Sequence, residues 1–241
     1  MSTRDLDRRM TTAVRGNAVS YVRSGNKDDP RVIYVHGTPG DAGAFAEFVR
    51  TPIEGVESIS VDRPGFGQTG GPALPSFADQ AAAIEPLLVE REGRWPVLVG
   101  HSLGGPIVAR LAADHPDRVS AIVITAGSLD PELENPRWFN YVAIGLYPII
   151  PRMFRVSNAE IFAAREETKE LALVLDQVQC PVYIVHGTKD NLVPYANVAY
   201  MERSFTNAAS VDVVTVDKVG HFILWSHEEL VRETIERAID R

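Results

Sequence analysis

Short runs of apolar, mostly β-branched residues recur along the chain, and most of them stop at a glycine, a histidine or an aspartate. They occupy residues 32–35, 58–61, 96–99, 121–124, 182–185 and 211–216. Their residues are apolar at successive positions, so both sides of each strand must be covered. A parallel sheet between two helical layers meets that requirement. The runs therefore predict the buried strands of such a sheet.

Amphipathic stretches separate these runs and predict helices at residues 42–50, 76–91, 103–114, 194–204 and 227–240. Ser76 is a suitable N-cap for the second of them, with Asp79 three residues further on. Regular alternation of strands and helices predicts an α/β fold with right-handed crossovers. Residues 12–23 are more polar, and they predict an antiparallel pair at the edge of the sheet.

One segment interrupts this alternation. About 50 residues separate Gly127 from Cys180, whereas connections in α/β folds usually have roughly 2–6 residues. The segment is rich in aromatic and aliphatic residues. We expect residues 1–127 and 179–241 to form the core, and residues 128–178 to form a small helical cap inserted after the sixth strand. Long insertions at the carboxyl ends of strands usually cover the site.

Trp138, Tyr141 and Phe154 of this predicted cap are the residues that we expect to face a substrate. An apolar pocket would be consistent with such residues. Two other interpretations stay open. These side chains could form the core of the cap itself, or they could form a dimer interface or a membrane contact.

Composition excludes several classes of function. The chain has 241 residues and a formal net charge of −8, which argues against nucleic acid as a partner, because phosphate binding needs a basic surface. Cys180 is the single cysteine, so an internal disulfide cannot form. No run of about 18 apolar residues could span a membrane, and residues 1–12 have no apolar core of a secretory signal. A cytoplasmic protein without stable membrane insertion is expected.

The segment Gly100-His101-Ser102-Leu103-Gly104 directly follows a predicted buried strand and opens a predicted helix. A turn this tight forces the serine into a strained backbone conformation and exposes its hydroxyl above the sheet. The N-terminus of the following helix favours negative charge that develops nearby. Ser102 is therefore the candidate nucleophile.

A serine hydroxyl needs a base to take its proton, and the base needs a carboxylate to orient it. His221 follows the last predicted strand, so we expect it at the same sheet edge as Ser102. Asp190 follows the strand before that one and is the preferred carboxylate. Asp130, which follows the strand at 121–124, is the alternative. His36 and His186 are expected to bond backbone groups, and His101 is expected to brace the serine turn. The loop that starts at Asp62 and Arg63 is expected to hold the structure together.

Acyl transfer also needs donors for the oxyanion. The backbone N–H groups of Leu103, directly after the serine, and of Thr38 are the candidates. Pro39 has no N–H group and cannot serve.

Five segments in this order resemble the α/β-hydrolase fold, and they extend over nearly the whole chain. They are His36-Gly37-Thr38-Pro39-Gly40, Asp62-Arg63-Pro64-Gly65-Phe66-Gly67, Gly100-His101-Ser102-Leu103-Gly104-Gly105, His186-Gly187-Thr188-Lys189-Asp190 and Gly220-His221-Phe222. The resemblance implies a Ser-His-Asp triad, an oxyanion hole after the first buried strand and a cap over the site. Haloalkane dehalogenases and epoxide hydrolases of this fold use an aspartate nucleophile, so Ser102 disfavours both. Proline iminopeptidases share the His-Gly-x-Pro-Gly turn but usually carry tryptophan where this chain has Leu103, and their larger cap is missing here.

The serine turn is similar to that of small carboxylesterases, lactonases and C–C-bond hydrolases. We therefore expect a serine hydrolase, carboxylesterase-like, that cleaves a small to medium apolar ester or lactone through an acyl-enzyme. The alternatives are a C–C-bond or amide hydrolase with the same triad, or a binding protein without catalysis. Neither a metal nor an organic cofactor is expected. The expected partner is a small ester-like molecule, and a homodimer is left open.

Overall fold

The computed structural model describes residue 3, residues 5–13 and residues 16–240. Within them, eight strands form one sheet. The strands are Asp7–Met10 (β1), Ser20–Ser24 (β2), Arg31–Val35 (β3), Glu57–Asp62 (β4), Val97–His101 (β5), Ala121–Thr125 (β6), Val182–Gly187 (β7) and Val211–Val216 (β8). Their order is β1-β2-β4-β3-β5-β6-β7-β8. The pairs β1–β2 and β2–β4 are antiparallel, and β3 to β8 are all parallel.

Helices cover both faces of this sheet. They are Ala46–Arg50 (α1), Phe77–Ile84 (α2), Gly104–Asp114 (α3), Trp138–Gly145 (α4), Arg152–Ala172 (α5), Ala196–Ser204 (α6), Ile223–Ser226 (α7) and Glu228–Ile239 (α8). Alternate strand residues enter two separate cores. Ile33 of β3 packs in a core with α2 and α3, whereas Tyr34 packs in another with α1 and α8. The burial of both faces confirms the prediction of a mostly parallel, doubly covered sheet.

Two local differences from the sequence prediction have simple causes. The antiparallel pair joins residues 7–10 to residues 20–24, so its first strand lies before the predicted range, and residues 14 and 15 of that range are outside the described residues. The predicted helix at 76–91 does begin after Ser76, whose hydroxyl accepts the N–H of Asp79. It ends early at Ile84, and a 3-10 turn containing Pro86 follows, because proline cannot continue an α-helix.

The chain between β6 and β7 contains α4, α5 and a 3-10 turn at Leu175–Gln177. This helical insertion after the sixth strand agrees with the fold that the sequence predicts. Helix α5 has 21 residues, which makes it the longest helix in the described part of the chain. None of the described helices has both the length and the apolarity that crossing a bilayer requires.

Candidate active site

Ser102 lies on a sharp turn between β5 and α3. Its φ angle is +54°, a left-handed conformation that is costly for a residue with a side chain. The turn is held by the Ser102 N–H, which donates to the Thr125 carbonyl at 3.0 Å. A Cβ atom on Gly104 would lie 2.1 Å from the Val35 carbonyl oxygen, and one on Gly100 would lie 2.5 Å from the Gly104 carbonyl oxygen. Only glycine permits these close approaches, so the flanking glycines make the strained turn possible.

The structure brings His221 and Asp190 into direct contact. The His221 Nδ1 and the Asp190 Oδ2 are 2.7 Å apart, and both side chains are buried. The other carboxylate oxygen accepts the backbone N–H groups of Leu192 and Val193, each at 2.8 Å. With the carboxylate held in this way, the imidazole has a fixed orientation and presents Nε2 away from Asp190.

These bonds also determine the charge state of the carboxylate. Burial on its own raises the pKa of Asp190, but the hydrogen bond from His221 and those from the two backbone N–H groups lower it. The net result is a pKa below the ordinary value for aspartate. Asp190 is therefore an anion over the whole neutral range and can stabilise a protonated His221.

Asp130, the alternative carboxylate, has different partners. Its Oδ1 accepts the N–H of Glu132 at 3.0 Å, and its own N–H donates to the Asn197 side chain. Its Oδ2 is 3.8 Å from Arg203. The structure thus pairs Asp190, and not Asp130, with His221.

A cavity of about 410 Å³ opens at this edge of the sheet. Ser102, His221 and the loop at residues 37–41 line its polar side. The rest of the wall is mainly apolar, with Met153 from α5, Leu192 after β7, and Phe222 and Trp225 next to His221. Its volume is near the lower end of the range of about 300–1,000 Å³ for sites that bind small molecules. Thr38 lies in the wall, and Leu103, the residue after Ser102, is buried.

The predicted pocket residues are not in this wall, and that prediction needs correction. Trp138, Tyr141 and Phe154 are 76%, 58% and 47% exposed, and none of them lines the cavity. For Trp138 and Tyr141 the physical reason is the rotation of α4, whose buried residue is Asn140. Phe154 lies on α5 and is exposed there, whereas Met153 beside it reaches the cavity. Sequence reasoning missed the apolar residues that do line the cavity. The positions of Phe222 and Trp225, close to His221 in the chain, could have indicated that they lie at the site.

The three other histidines near the site bond backbone groups, as expected for His36 and His186. His36 donates from Nδ1 to the Gly37 carbonyl at 2.7 Å and accepts the Arg63 N–H on Nε2. His101 donates from Nε2 to the His221 carbonyl at 3.2 Å, and His186 donates to a backbone carbonyl in the same way. Burial, followed by the nearby charge of Arg63, places the pKa of His36 well below its ordinary value. Burial, followed by the nearby His221, lowers the pKa of His101 to about 3.

These neutral histidines should make folding stability depend on pH. The unfolded chain takes up protons near the ordinary value of 6.5, whereas the folded chain does not until the pH approaches the lowered pKa. Stability should therefore fall as the pH drops below about 6.5. His101, whose pKa is about 3, should remove about 2 kcal/mol from the free energy of unfolding between pH 7 and pH 5, and His36 should act in the same direction. Urea unfolding at pH 7, 6 and 5 measures this slope.

His101→Gln should reduce that slope relative to the wild type. His115→Gln, which replaces a partly exposed histidine just after the C-terminal end of α3, is the matched control and should keep the slope. An unchanged slope in His101→Gln would mean that His101 accepts a proton in the folded protein.

A buried ionic network lies beneath the loop at residues 37–41. Arg63 and Glu160 are both fully buried and form a two-pronged ion pair, with Nη1–Oε1 and Nη2–Oε2 distances of 2.6 and 3.1 Å. Gln80 accepts from Arg63 at 2.7 Å and donates to Glu160 at 2.9 Å. Arg63 also donates to the Gly37 carbonyl at 2.9 Å. The network ties α5 of the insertion to α2 and to the loop beside Thr38.

This confirms the expectation that Arg63 holds the structure. Asp62 does so as well, because its Oδ1 accepts the N–H of Ala42 at 2.8 Å and its Oδ2 accepts the N–H of Gln68 at 3.0 Å. Glu160 was not predicted from the sequence.

The described residues contain no cluster of histidine, cysteine, aspartate and glutamate side chains that could hold a metal ion. A mostly parallel sheet, a serine on a strained turn after β5 and a histidine–aspartate pair after β7 and β8 are the features of the α/β-hydrolase class. A sequence model of the Alpha/beta hydrolase family matches residues 32–234. The chain belongs to this family.

Three known proteins illustrate the range of similarity. Pimeloyl-[acyl-carrier protein] methyl ester esterase of Chromobacterium violaceum is 36% identical over 237 residues, which are 83% of this chain and 90% of that protein. Lipase 1 of Psychrobacter immobilis is 24% identical over 254 residues, 90% of this chain and 79% of the lipase. The crystal structure of a putative aryl esterase from Burkholderia cenocepacia superposes with a TM-score of 0.75 and 20% identity, over 98% of this chain and all 100% of the other. At that identity, the superposition shows the fold alone.

Proposed function

We propose that this protein is a serine hydrolase that cleaves a small to medium apolar carboxylic ester or lactone. The observation that carries the proposal is the 2.7 Å contact between His221 and Asp190, together with a strained Ser102 in the wall of the same cavity as His221. A nucleophile, a base and a group that orients the base are the three parts that acyl transfer requires.

In the proposed reaction, His221 accepts the proton of the Ser102 hydroxyl while the serine oxygen attacks the ester carbonyl. Asp190 keeps the imidazole in one tautomer and stabilises its protonated form. The alcohol leaves with the proton from His221, which produces an acyl-enzyme on Ser102. Water then attacks the acyl group with His221 again as base, and Ser102 is regenerated.

We assign the stabilisation of the negative charge on the carbonyl oxygen to two backbone N–H groups, those of Thr38 and Leu103, which would donate hydrogen bonds to it. Leu103 occupies the N-cap position of α3, where the helix dipole adds a partial positive charge. Loss of one oxyanion donor typically raises the barrier by roughly 3–4 kcal/mol. The Arg63 bond to the Gly37 carbonyl supports a fixed position for the loop that carries Thr38.

The proposed substrate class is based on the apolar wall of the cavity and on the activities for which the related proteins are named. The wall opposite the polar loop is apolar, which favours an apolar acyl or alcohol group. Related proteins are named as an ester esterase and a lipase, so carboxylic esters are the first class to test. We further propose that residues 128–178 act as a cap, since Met153 of α5 contributes to the cavity wall.

Intact-protein mass after exposure to a fluorophosphonate tests the nucleophile. We expect one adduct on the wild type and none on Ser102→Ala or His221→Ala, because phosphonylation needs a serine activated by its base. Circular dichroism of each variant establishes that it is folded. A folded wild type without an adduct would contradict the proposal and favour a binding protein.

A panel of esters, lactones, diketones and amides then tests the scissile bond. We expect turnover of esters and lactones, with lower kcat/KM for bulky acyl groups because the cavity is small. Faster cleavage of diketones or amides than of every ester would reassign the reaction to a C–C-bond or amide hydrolase with the same three residues.

A further inference from the structure

Helix α4 is folded with its polar side inward. Its one buried residue, Asn140, donates to the Asn158 side chain at 2.9 Å, and Asn158 donates back to the Asn140 carbonyl at 3.0 Å and to the Tyr147 hydroxyl at 2.9 Å. The outer side carries exposed apolar residues. A surface helix normally has the opposite arrangement, with its apolar side against the core.

The exposed apolar residues continue beyond α4 to the start of α5. We call this surface the apolar face, and it consists of Trp138, Phe139, Tyr141, Val142, Ile144, Leu146, Ile149, Met153 and Phe154, all between 38% and 79% exposed. Contiguous surfaces of this kind on a water-soluble domain mark sites of interaction. Met153 belongs both to this face and to the wall of the cavity that contains Ser102, so the face reaches the mouth of the cavity.

The charge around the apolar face differs from that of the whole chain. Residues 135–159 include Arg137, Arg152 and Arg155 and no aspartate or glutamate, although the chain has a formal net charge of −8. Each of the three guanidinium groups donates to a backbone carbonyl, namely those of Asn191, Gly65 and Tyr147. Within the described residues, no carboxylate forms an ion pair with them. The apolar face is therefore bordered by uncompensated positive charge.

We propose that the apolar face docks on the surface of an anionic phospholipid layer. Aromatic and aliphatic side chains would enter the boundary between headgroups and acyl chains, and the three arginines would lie among the phosphates. Interfacial helices with an apolar side and a cationic border bind in this way without crossing the layer.

The composition of the apolar face and its border favours a lipid surface over two other partners, namely a second copy of this chain and an acidic protein. A twofold dimer through the apolar face would bring the same three arginines of both copies together, and the repulsion would oppose association. An acidic protein fits this surface less well, because nine exposed apolar side chains outnumber its three arginines. That proportion suits the boundary between headgroups and acyl chains.

This inference also refines the substrate, and that part rests on the proposed function. A protein docked through the apolar face would have its cavity mouth, at Met153, next to the lipid layer. Esters with an apolar chain could then pass from the layer to Ser102 without crossing bulk water.

Co-sedimentation with phospholipid vesicles tests the docking without any need for catalysis. The probes are vesicles of phosphatidylcholine mixed with phosphatidylglycerol, and vesicles of phosphatidylcholine alone. We expect binding to the anionic vesicles, and binding weaker by up to about 10²-fold without phosphatidylglycerol, since each arginine near an anionic surface contributes a roughly sixfold gain. Trp138→Ser combined with Ile149→Ser should weaken binding about tenfold or more.

Leu173→Ser is the matched control, because Leu173 is 74% exposed but lies outside the apolar face. It should bind vesicles as the wild type does. Circular dichroism and urea unfolding serve as the folding check for all variants, so that the test does not depend on catalysis. A wild type that does not sediment with excess anionic vesicles overturns the proposal. So does a dimer, seen by analytical ultracentrifugation, that Trp138→Ser and Ile149→Ser dissociate.

The outcomes for docking and for catalysis are separable. Vesicle binding without phosphonylation of Ser102 would overturn the proposed function and leave the docking intact. Hydrolysis of soluble esters without vesicle binding would overturn the docking and leave the function intact.

Discussion

Replacement of Ser102 by alanine is expected to lower kcat for ester hydrolysis by at least about 10³-fold. The reason is that the nucleophile, the base and the group that orients it act as a unit, so that loss of one removes most of the rate. The free energy of unfolding should change little, because alanine tolerates the φ of +54° no worse than serine does. Steady-state kinetics and urea unfolding measure the two quantities.

Ser204→Ala is the control for this experiment. Ser204 ends α6, its hydroxyl donates to the Tyr200 carbonyl at 2.8 Å, and it does not line the cavity. Its kcat should equal that of the wild type. If Ser102→Ala retained more than about a tenth of the wild-type kcat, the nucleophile would have to be another residue.

The second large effect is expected for Glu160→Gln, which should lower the free energy of unfolding by about 3–5 kcal/mol. The substitution preserves shape but removes the charge opposite Arg63, whose side chain is fully buried. A buried cation without its anion loses an attraction that compensated for its lost hydration. Urea unfolding at neutral pH measures the change.

Two variants delimit the cause. Glu166→Gln, on the same helix, removes a carboxylate that is 73% exposed and 2.7 Å from Lys169, and it should change stability by less than about 1 kcal/mol. Arg63→Met combined with Glu160→Leu removes both charges and should be more stable than Glu160→Gln alone. A loss below about 1 kcal/mol in Glu160→Gln would mean that water or another anion reaches Arg63.

Much of the sheet could be predicted because buried parallel strands are apolar on both sides, and such runs are visible in a sequence. β1 could not, because Asp7–Met10 is polar and mostly exposed. Its place in the sheet depends on backbone hydrogen bonds to β2, which any residue except proline can form. For the same reason the predicted edge pair began at the wrong residues.

The candidate site was predictable to the extent that it depends on strand ends. Ser102, Asp190 and His221 each follow a parallel strand, so topology alone brings them to one edge. The exposure of Trp138 and Tyr141 was not predictable, because it depends on how α4 is rotated. The rule that apolar residues are buried gives the wrong side for this helix, where Asn140 bonds Asn158 inside the protein.

Glu160 was missed for a related reason. A glutamate in an amphipathic helix is expected to face solvent, and its partner Arg63 is 97 residues away in the chain. No local pattern connects two such positions.

The position of Glu160 has a consequence for protein engineering. Exchange of residues 128–178, the proposed cap, for the corresponding segment of a relative would be one way to change the substrate range. In this protein, removal of residues 128–178 would also remove the counter-ion of Arg63, a core residue that bonds the Gly37 carbonyl. A transplanted cap would have to supply a carboxylate at the same depth, or Arg63 would have to be replaced at the same time.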